Sequence, residues 1–201
     1  MAAVLPLLWA CAAPPLEPLP LLARGEGIVV SAATPTGAYT LAFAGGSADL
    51  GSGAAMAAKG TTVTADPTVG EPLEIRAARS AWDLKNRTAH FEGEVVVVRG
   101  PVTLRCASLD VRYAGSDRVD TVVASGGVLV EHGDRRAAAA RAELVGATGK
   151  ITLTGEPRLA EGVNTLVGER IILWLDDEKA DCEGGPSGPC TLVVEGRALG
   201  K

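Results

Sequence analysis

The chain has 201 residues, enough for one domain, and 47% of them are hydrophobic although only 3% are aromatic. Small and β-branched side chains must therefore fill the core. The formal net charge of −5 excludes general electrostatic binding to nucleic acid. Beyond the N-terminus, no apolar run is long enough to span a bilayer.

The N-terminus is typical of an exported protein. Residues 1–10 form a short apolar stretch, and residues 8–11, LWAC, resemble the lipobox of bacterial lipoproteins, in which the cysteine is acylated. Two other interpretations stay open: a secretory signal cut after the Ala10-Cys11-Ala12 site, and an unprocessed apolar tail. We predict a signal or lipobox segment over residues 1–11, with Cys11 as the lipidation site.

The next segments are rich in proline or glycine, which interrupt regular secondary structure. Residues 12–24 contain four prolines between Ala12 and Pro20, which predicts an extended tether. Residues 25–201 are predicted to form the folded domain. Within it, the Gly-, Ala- and Ser-rich stretch from Gly45 to Gly60 predicts loops or a weak edge hairpin.

A short phrase that ends on glycine recurs four times in the second half of the chain. The phrases AHFEG, VVASG, ITLTG and ADCEG end at Gly93, Gly126, Gly155 and Gly184, with steps of 33, 29 and 29 residues. This period is that of a supersecondary unit. Apolar residues alternate with polar ones on both sides of the glycines, which is typical of β-strands with one buried face.

A second apolar alternation follows within each unit, after turn residues such as Arg99-Gly100-Pro101 and His132-Gly133-Asp134. The sequence therefore predicts an all-β fold of repeated strand-turn-strand units with one apolar face, on which Phe91 is the one aromatic ring. The predicted residues of that face are Leu73, Ile75, Phe91, Val95, Val97, Leu109, Val111, Val122, Val128, Val130, Leu144, Leu153, Leu159, Ile171 and Leu173.

The chemistry-bearing residues give little support for an enzyme. His90 and His132 fall at solvent-facing positions and have no ligand-like spacing to a cysteine pair. We therefore predict no catalytic residues, no metal site and no cofactor. Cys182 and Cys190 flank a Gly- and Pro-rich loop that a disulfide could close, although two unrelated thiols are the alternative. Cys106 has no evident partner.

Two segments resemble a known family. Residues 71–113, EPLEIRAARSAWDLKNRTAHFEGEVVVVRGPVTLRCASLDVRY, resemble the OstA-like domain shared by the LptA and LptC families of lipopolysaccharide transport and by the N-terminal region of LptD. Residues 151–175 resemble its later repeat, in which a strand ending on Leu-Thr-Gly leads through Asn164 and Gly168 to Glu169-Arg170-Ile171.

The resemblance implies an open β-jellyroll of folded-sheet type that carries acyl chains between its inner faces in the periplasm. It also implies that such domains stack through edge strands, here near Gly25–Ser31 and Thr191–Arg197, with other jellyroll proteins or with a second copy. On this interpretation the fifteen apolar residues bind the acyl chains of lipopolysaccharide. Arg76, Arg79, Lys85 and Arg87, together with Arg135 and Arg136, are weaker candidates for head-group phosphates at the rim.

Alternatives remain at this stage. The candidate lipobox and the pair Gly93-Glu94, where the family commonly has Gly-Asn, keep an LptC-like membrane-anchored role open. A structural β-solenoid lipoprotein without lipid cargo is a second alternative, because the apolar residues would then meet one another in a dry core.

Overall fold

The computed structural model describes residues 22–34, 37–49, 56–67, 72–83, 85–114, 118–174, 179–186 and 188–194. These residues form one antiparallel sheet of fourteen strands. The strands are β1 (Leu22–Thr34), β2 (Gly37–Asp49), β3 (Met56–Pro67), β4 (Leu73–Asp83), β5 (Thr88–Arg99), β6 (Val102–Ala114), β7 (Arg118–His132), β8 (Arg135–Val145), β9 (Lys150–Thr154), β10 (Arg158–Glu161), β11 (Asn164–Val167), β12 (Arg170–Trp174), β13 (Ala180–Glu183) and β14 (Thr191–Val193).

Strands β1 to β8 pair in chain order, and then the sheet divides in two. Residues 141–145 of β8 pair with β9, whereas residues 135–138 of the same strand pair with β10. Strand β12 lies beside β9 and β13, while β11 lies beside β10 and β14. The later strands are therefore half-strands, and each half continues a different part of the long strands.

This division defines two layers. Layer A consists of β9, β12, β13 and the aligned halves of the long strands, residues 79–83, 88–92, 108–114, 118–125 and 141–145. Layer B consists of β10, β11, β14 and the opposite halves, residues 73–77, 95–99, 102–106, 128–132 and 135–139. Buried side chains from both layers form one core cluster, so the sheet is folded over on itself into an open jellyroll.

A line of glycines marks the fold between the layers, and we call this line the crease. Gly60, Gly93, Gly126 and Gly155 all have positive φ, between 58° and 82°. A Cβ added to any of them would lie 2.5–2.9 Å from the Cβ of an alanine on the preceding strand, namely Ala44, Ala78, Ala107 or Ala140. The register shifts at the crease in β5 and β7, and such bulges bend a strand.

The predicted repeat is thus correct in three of its four glycines. Gly184 has no positive φ and lies in the loop after β13, so its place in the repeat was wrong. Gly60, which was not predicted, is the first glycine of the crease. The stretch predicted as loops or a weak edge hairpin contributes the end of β2 and the start of β3, inside the sheet. Strand β1 begins at Leu22, within the predicted tether, and residues 1–21 lie outside the described residues.

Two rows of inward-facing side chains run across the central strands, one in each layer. Their members are paired neighbours in the ladders, so they stack at the spacing of adjacent strands. Row A is Ser80, Phe91, Leu109, Ala124, Ala142, Leu153, Ile171 and Cys182. Row B is Ile75, Val97, Leu104, Val130, Ala137, Leu159, Leu166 and Leu192.

Candidate functional site

The interior between the layers contains the residues that the sequence predicted. All the predicted apolar residues except Leu144 belong to the core cluster or pack against it. Leu144 is half-buried and is paired with Val122. Apart from Leu144, the structure therefore brings the predicted set together from seven different strands. The period-two alternation produces this arrangement because every second side chain of a strand faces the same side.

Burial in the interior falls from its centre toward its rims. Phe91, Val95, Leu153 and Ile171 have 0% exposure, so the two layers touch at the centre. Residues farther from the crease, or nearer the ends of the sheet, are only half-buried. These include Leu73, Val97, Val130 and Leu159 in layer B and Val122, Ile151 and Leu173 in layer A. The rims are where an apolar chain could first make contact.

Several interior residues were missed by the sequence analysis. Trp82 stands edge-to-face against Phe91 with ring centroids 5.4 Å apart, and Tyr113 also packs against the cluster, so Phe91 is not the one aromatic ring of the interior. Burial raises the pKa of Tyr113 to about 12. Six of the other missed residues of the cluster are alanines, whose small size carries no pattern signal, and the others include Leu104 and Leu166 of row B.

A polar contact crosses the crease at the N-terminal side of the interior. Thr61 in β3 and Ser80 in β4 are almost fully buried, and their hydroxyl oxygens are 2.8 Å apart. The indole N–H of Trp82 donates to the Ser80 hydroxyl at 3.2 Å. Valine and leucine occupy the corresponding crease positions one repeat later, at Val95 and Leu109. The hydrogen bond therefore replaces an apolar contact as the tie between the layers.

The predicted head-group residues do not form one cluster. Arg76 and Arg79 point to the outer face of β4 and pair with Glu74 at 2.6 Å and Glu92 at 3.1 Å, so neither lies at the rim where the prediction placed it. Lys85 is exposed in the turn between β4 and β5, at the rim of layer A, and Arg87 is beside it. The remaining candidates, Arg135 and Arg136, pair with Glu161 at 2.9 Å and Glu131 at 3.3 Å.

The two ends of the sheet carry edge strands within the described residues. Strand β1 pairs only with β2, and β14 pairs only with β11. The side chains of Leu192, Val193 and Val194 are 62%, 51% and 61% exposed. Next to them, Cys182 and Cys190 are joined by a disulfide with a Cα–Cα distance of 6.1 Å. Residues 195–197 of the predicted C-terminal edge and the predicted lipidation site Cys11 lie outside the described residues.

Comparison with known proteins identifies the family. A sequence profile described as LptA/(LptD N-terminal domain) LPS transport protein matches residues 74–179, more than half of the chain. The chain belongs to this family. In fold it is similar to the crystal structure of LptH from Pseudomonas aeruginosa, described as the LptA homologous periplasmic component of the conserved lipopolysaccharide transport device. The TM-score is 0.58 at 16% identity, over 63% of this chain and 96% of that chain. No curated protein sequence matches significantly.

The predicted resemblance to the LPS transport family and the predicted open jellyroll are both confirmed. The region matched by the LPS transport profile begins in β4 and ends just before β13. It therefore includes most of rows A and B and three of the four crease glycines. The first three strands, the disulfide and β14 lie outside it.

A metal cluster and a membrane-spanning helix are both absent from the described part of the chain. No group of three or more His, Cys, Asp or Glu side chains there is arranged to hold a metal ion. The same residues include no helix of the length and hydrophobicity needed to cross a bilayer. His90 and Asp110 form an exposed pair at 2.7 Å on the outer face of layer A, where both side chains contact water.

Proposed function

We propose that this protein is a periplasmic lipopolysaccharide-transport protein that holds lipid A acyl chains between layers A and B. The observation that carries the proposal is the pair of apolar rows that face each other across the crease, in a chain of the LPS transport family. The head groups would remain outside, because the outer faces of both layers carry charged and polar side chains.

The energetics of such binding are favourable without any covalent step. An acyl chain gains roughly 0.8 kcal/mol for each methylene that leaves water. The inner side chains lose little, because contacts with the acyl chain replace their contacts with the opposite layer. Entry requires the layers to separate at the half-buried rims, while the crease keeps them joined. Several chains could therefore be held by burial alone.

The proposal includes partners at the edges of the sheet. Among the described residues, strand β14 has one unpaired side, and Leu192 and Val193 in it and Val194 directly after it are exposed, so a second β-strand could pair with it by strand addition. The partners we propose are other jellyroll proteins of the transport bridge or a second copy of this chain. Lipid anchoring through Cys11, with an LptC-like role, remains a prediction that the mass of the mature N-terminal peptide would test.

Site-specific photo-crosslinking tests the cargo. A photoreactive amino acid placed at Val97, on the half-buried rim, or at Leu153, in the centre, should form an adduct with lipopolysaccharide in cells. The matched control is Glu92, which is on the outer face of β5 next to Phe91. An adduct confined to Glu92, or equal at all three positions, would reject an interior binding site.

The second candidate function is a structural jellyroll without cargo. The observation that favours it is the full burial of four core side chains at the centre, which leaves the layers in contact. This candidate predicts that no lipid adduct forms at Val97 or Leu153 in a protein that is folded and correctly exported. The same crosslinking experiment therefore decides between the two functions.

A further inference from the structure

The last crossing between the layers has a longer interruption than the other crossings that the structure describes. Residues 155–157 separate β9 from β10 and residues 168–169 separate β11 from β12, whereas residues 184–190 separate β13 from β14. In β5 and β7 the backbone passes from layer A to layer B within one continuous strand, through a glycine bulge. At the C-terminal edge the strand is interrupted: β13 ends at Glu183 in layer A, and β14 begins at Thr191 in layer B. Between the two strands, Gly185 and Gly188 exchange backbone hydrogen bonds of 2.9 and 3.0 Å.

The disulfide bridges this interruption. Cys182 is the last member of row A, where it is paired with Ile171, and Cys190 immediately precedes β14. The covalent bond therefore connects the layers at the point where a continuous strand is missing. The backbone N–H of Glu169 donates to the carbonyl of Glu183 at 2.9 Å and holds the end of β13 beside the break between β11 and β12.

Gly168, in that break, makes room for the disulfide. A Cβ added to Gly168 would lie 2.5 Å from the Cys182 Sγ and 2.9 Å from the Cys190 Sγ. Any larger residue would have to displace the sulfur atoms or the backbone. The disulfide and the glycine thus form one packed unit over the C-terminal end of the crease.

Strand β14 has little else to hold it. It has three residues, it pairs with one neighbour among the described strands, and all of its side chains are exposed. A strand with so little buried surface and a single ladder is expected to open locally, because few contacts oppose the gain in chain entropy. A covalent tie directly before its first residue restricts the positions that the strand can adopt.

We propose that the Cys182–Cys190 disulfide, seated on Gly168, positions β14 as the edge on which β1 of a second copy of this chain docks, since β1 is the strand at the opposite edge of the sheet. The pair acts through β14 and does not itself contact the partner. This inference rests on the proposed function insofar as docking at β14 is concerned. The positioning of β14 can be measured independently of docking.

Hydrogen exchange measures the positioning. All proteins carry Cys106→Ala, so that no free thiol of the core can exchange with the disulfide, and the test variant adds Cys182→Ser and Cys190→Ser. We expect amide exchange in residues 191–194 to become at least tenfold faster, while β5 to β8 keep their protection. Gly168→Ala, which retains both cysteines, should accelerate exchange in the same residues. Unchanged exchange in residues 191–194 of the double serine variant would overturn the proposal.

A strand peptide measures the docking. The probe is a fluorescently labelled peptide with the sequence of β1, LARGEGIVVSAAT, which is the strand at the opposite edge of the sheet. We expect it to bind the parent protein, and we expect Leu192→Pro to abolish binding because proline removes a ladder N–H. The double serine variant should bind at least tenfold more weakly.

Hydrogen exchange and peptide binding together distinguish a failure of the positioning role from a failure of docking at β14. If Leu192→Pro loses binding but the double serine variant binds like the parent, docking at β14 stands and the positioning role is rejected. If the parent does not bind the peptide, the edge part of the proposed function is rejected. The positioning role is then judged by hydrogen exchange alone, which supports it when exchange rises in residues 191–194 and rejects it when exchange does not change.

Discussion

The middle of the sheet and its C-terminal edge solve the same structural problem in different ways. In β5 to β8 the layers are joined by continuous strands that bend where a glycine meets an alanine, and the side chains around the bend are buried. At β13 and β14 the layers are joined by a disulfide, and the side chains of β14 are exposed. The middle is therefore held by packing, whereas the edge is held by a covalent bond.

This difference follows from the number of neighbours that each strand has. A central strand buries one face against the opposite layer and pairs on both sides, so that its stability comes from apolar contacts and ladder hydrogen bonds. The last strand has one paired side, and its open side must remain accessible if it is to dock. Packing cannot stabilise that side without closing it. A covalent bond can fix the strand and leave it exposed.

The largest expected effect comes from replacing leucine by alanine in the middle of the sheet and, for comparison, at its C-terminal edge. Leu153→Ala, in the centre of row A, removes a side chain with 0% exposure and should lower the free energy of unfolding by about 2–5 kcal/mol. Leu192→Ala, at the edge of row B, should change it by less than about 0.5 kcal/mol. Urea denaturation of both variants measures the difference. Equal losses would show that the edge is packed as tightly as the centre.

The bend itself can be tested with neighbouring glycines of β7. Gly126 and Gly127 both have positive φ, 80° and 69°, but only at Gly126 would a Cβ meet Ala107, at 2.6 Å. Gly127→Ala should therefore cost only the left-handed strain, about 1–2 kcal/mol. Gly126→Ala should cost about 1–3 kcal/mol more because of the overpacking. Chemical denaturation gives both values.

A compensating change sharpens that result. Ala107→Gly removes the methyl group that the new Cβ of Gly126→Ala would strike. In the double variant the excess cost over Gly127→Ala should disappear, leaving a coupling energy between the two sites. If the double variant is no more stable than the sum of the single changes predicts, close packing at the crease is not what requires a glycine there.

The inner faces could be predicted from the sequence, because alternation along a strand depends only on local geometry. The residues Phe91, Val95 and Val97 keep one parity through β5, because two residues of positive φ, Gly93 and Glu94, lie at the bulge between Glu92 and Val95. The crease was only partly predictable. Gly60 was missed because alanines and a lysine precede it instead of alternating bulky residues. Gly184 was included in the predicted repeat because ADCEG resembles the other glycine-ending phrases, although a loop follows it.

The parts that could not be predicted depend on contacts between distant strands. Nothing local to Thr61 or Ser80 indicates that their hydroxyls meet, because the contact exists only after β3 and β4 cross the crease in register. The positions of Arg76 and Arg79 on the outer face have a similar origin. The inner residues of β4 shift from Ile75 to Ser80 across the crease, which leaves both arginines outside. Local alternation alone does not show this change of parity.

The smallest expected effect contrasts the cysteine of the middle with those of the edge. Cys106 is buried between β5 and β7, and burial raises the pKa of its thiol from the ordinary value of 9.0 to about 11. The folded state therefore holds this proton more tightly than the unfolded state does.

The resulting stability is fully present below pH 9 and is lost as the pH rises toward 11. At pH 10 the loss is about 1 kcal/mol. Denaturation of the parent protein and Cys106→Ala at pH 8 and pH 10 measures it, since the substitution should remove this part of the pH dependence. A separate variant with Cys182→Ser and Cys190→Ser but with Cys106 unchanged should retain the slope. An identical slope in the parent protein and in Cys106→Ala would mean that the middle of the sheet does not exclude water from this thiol.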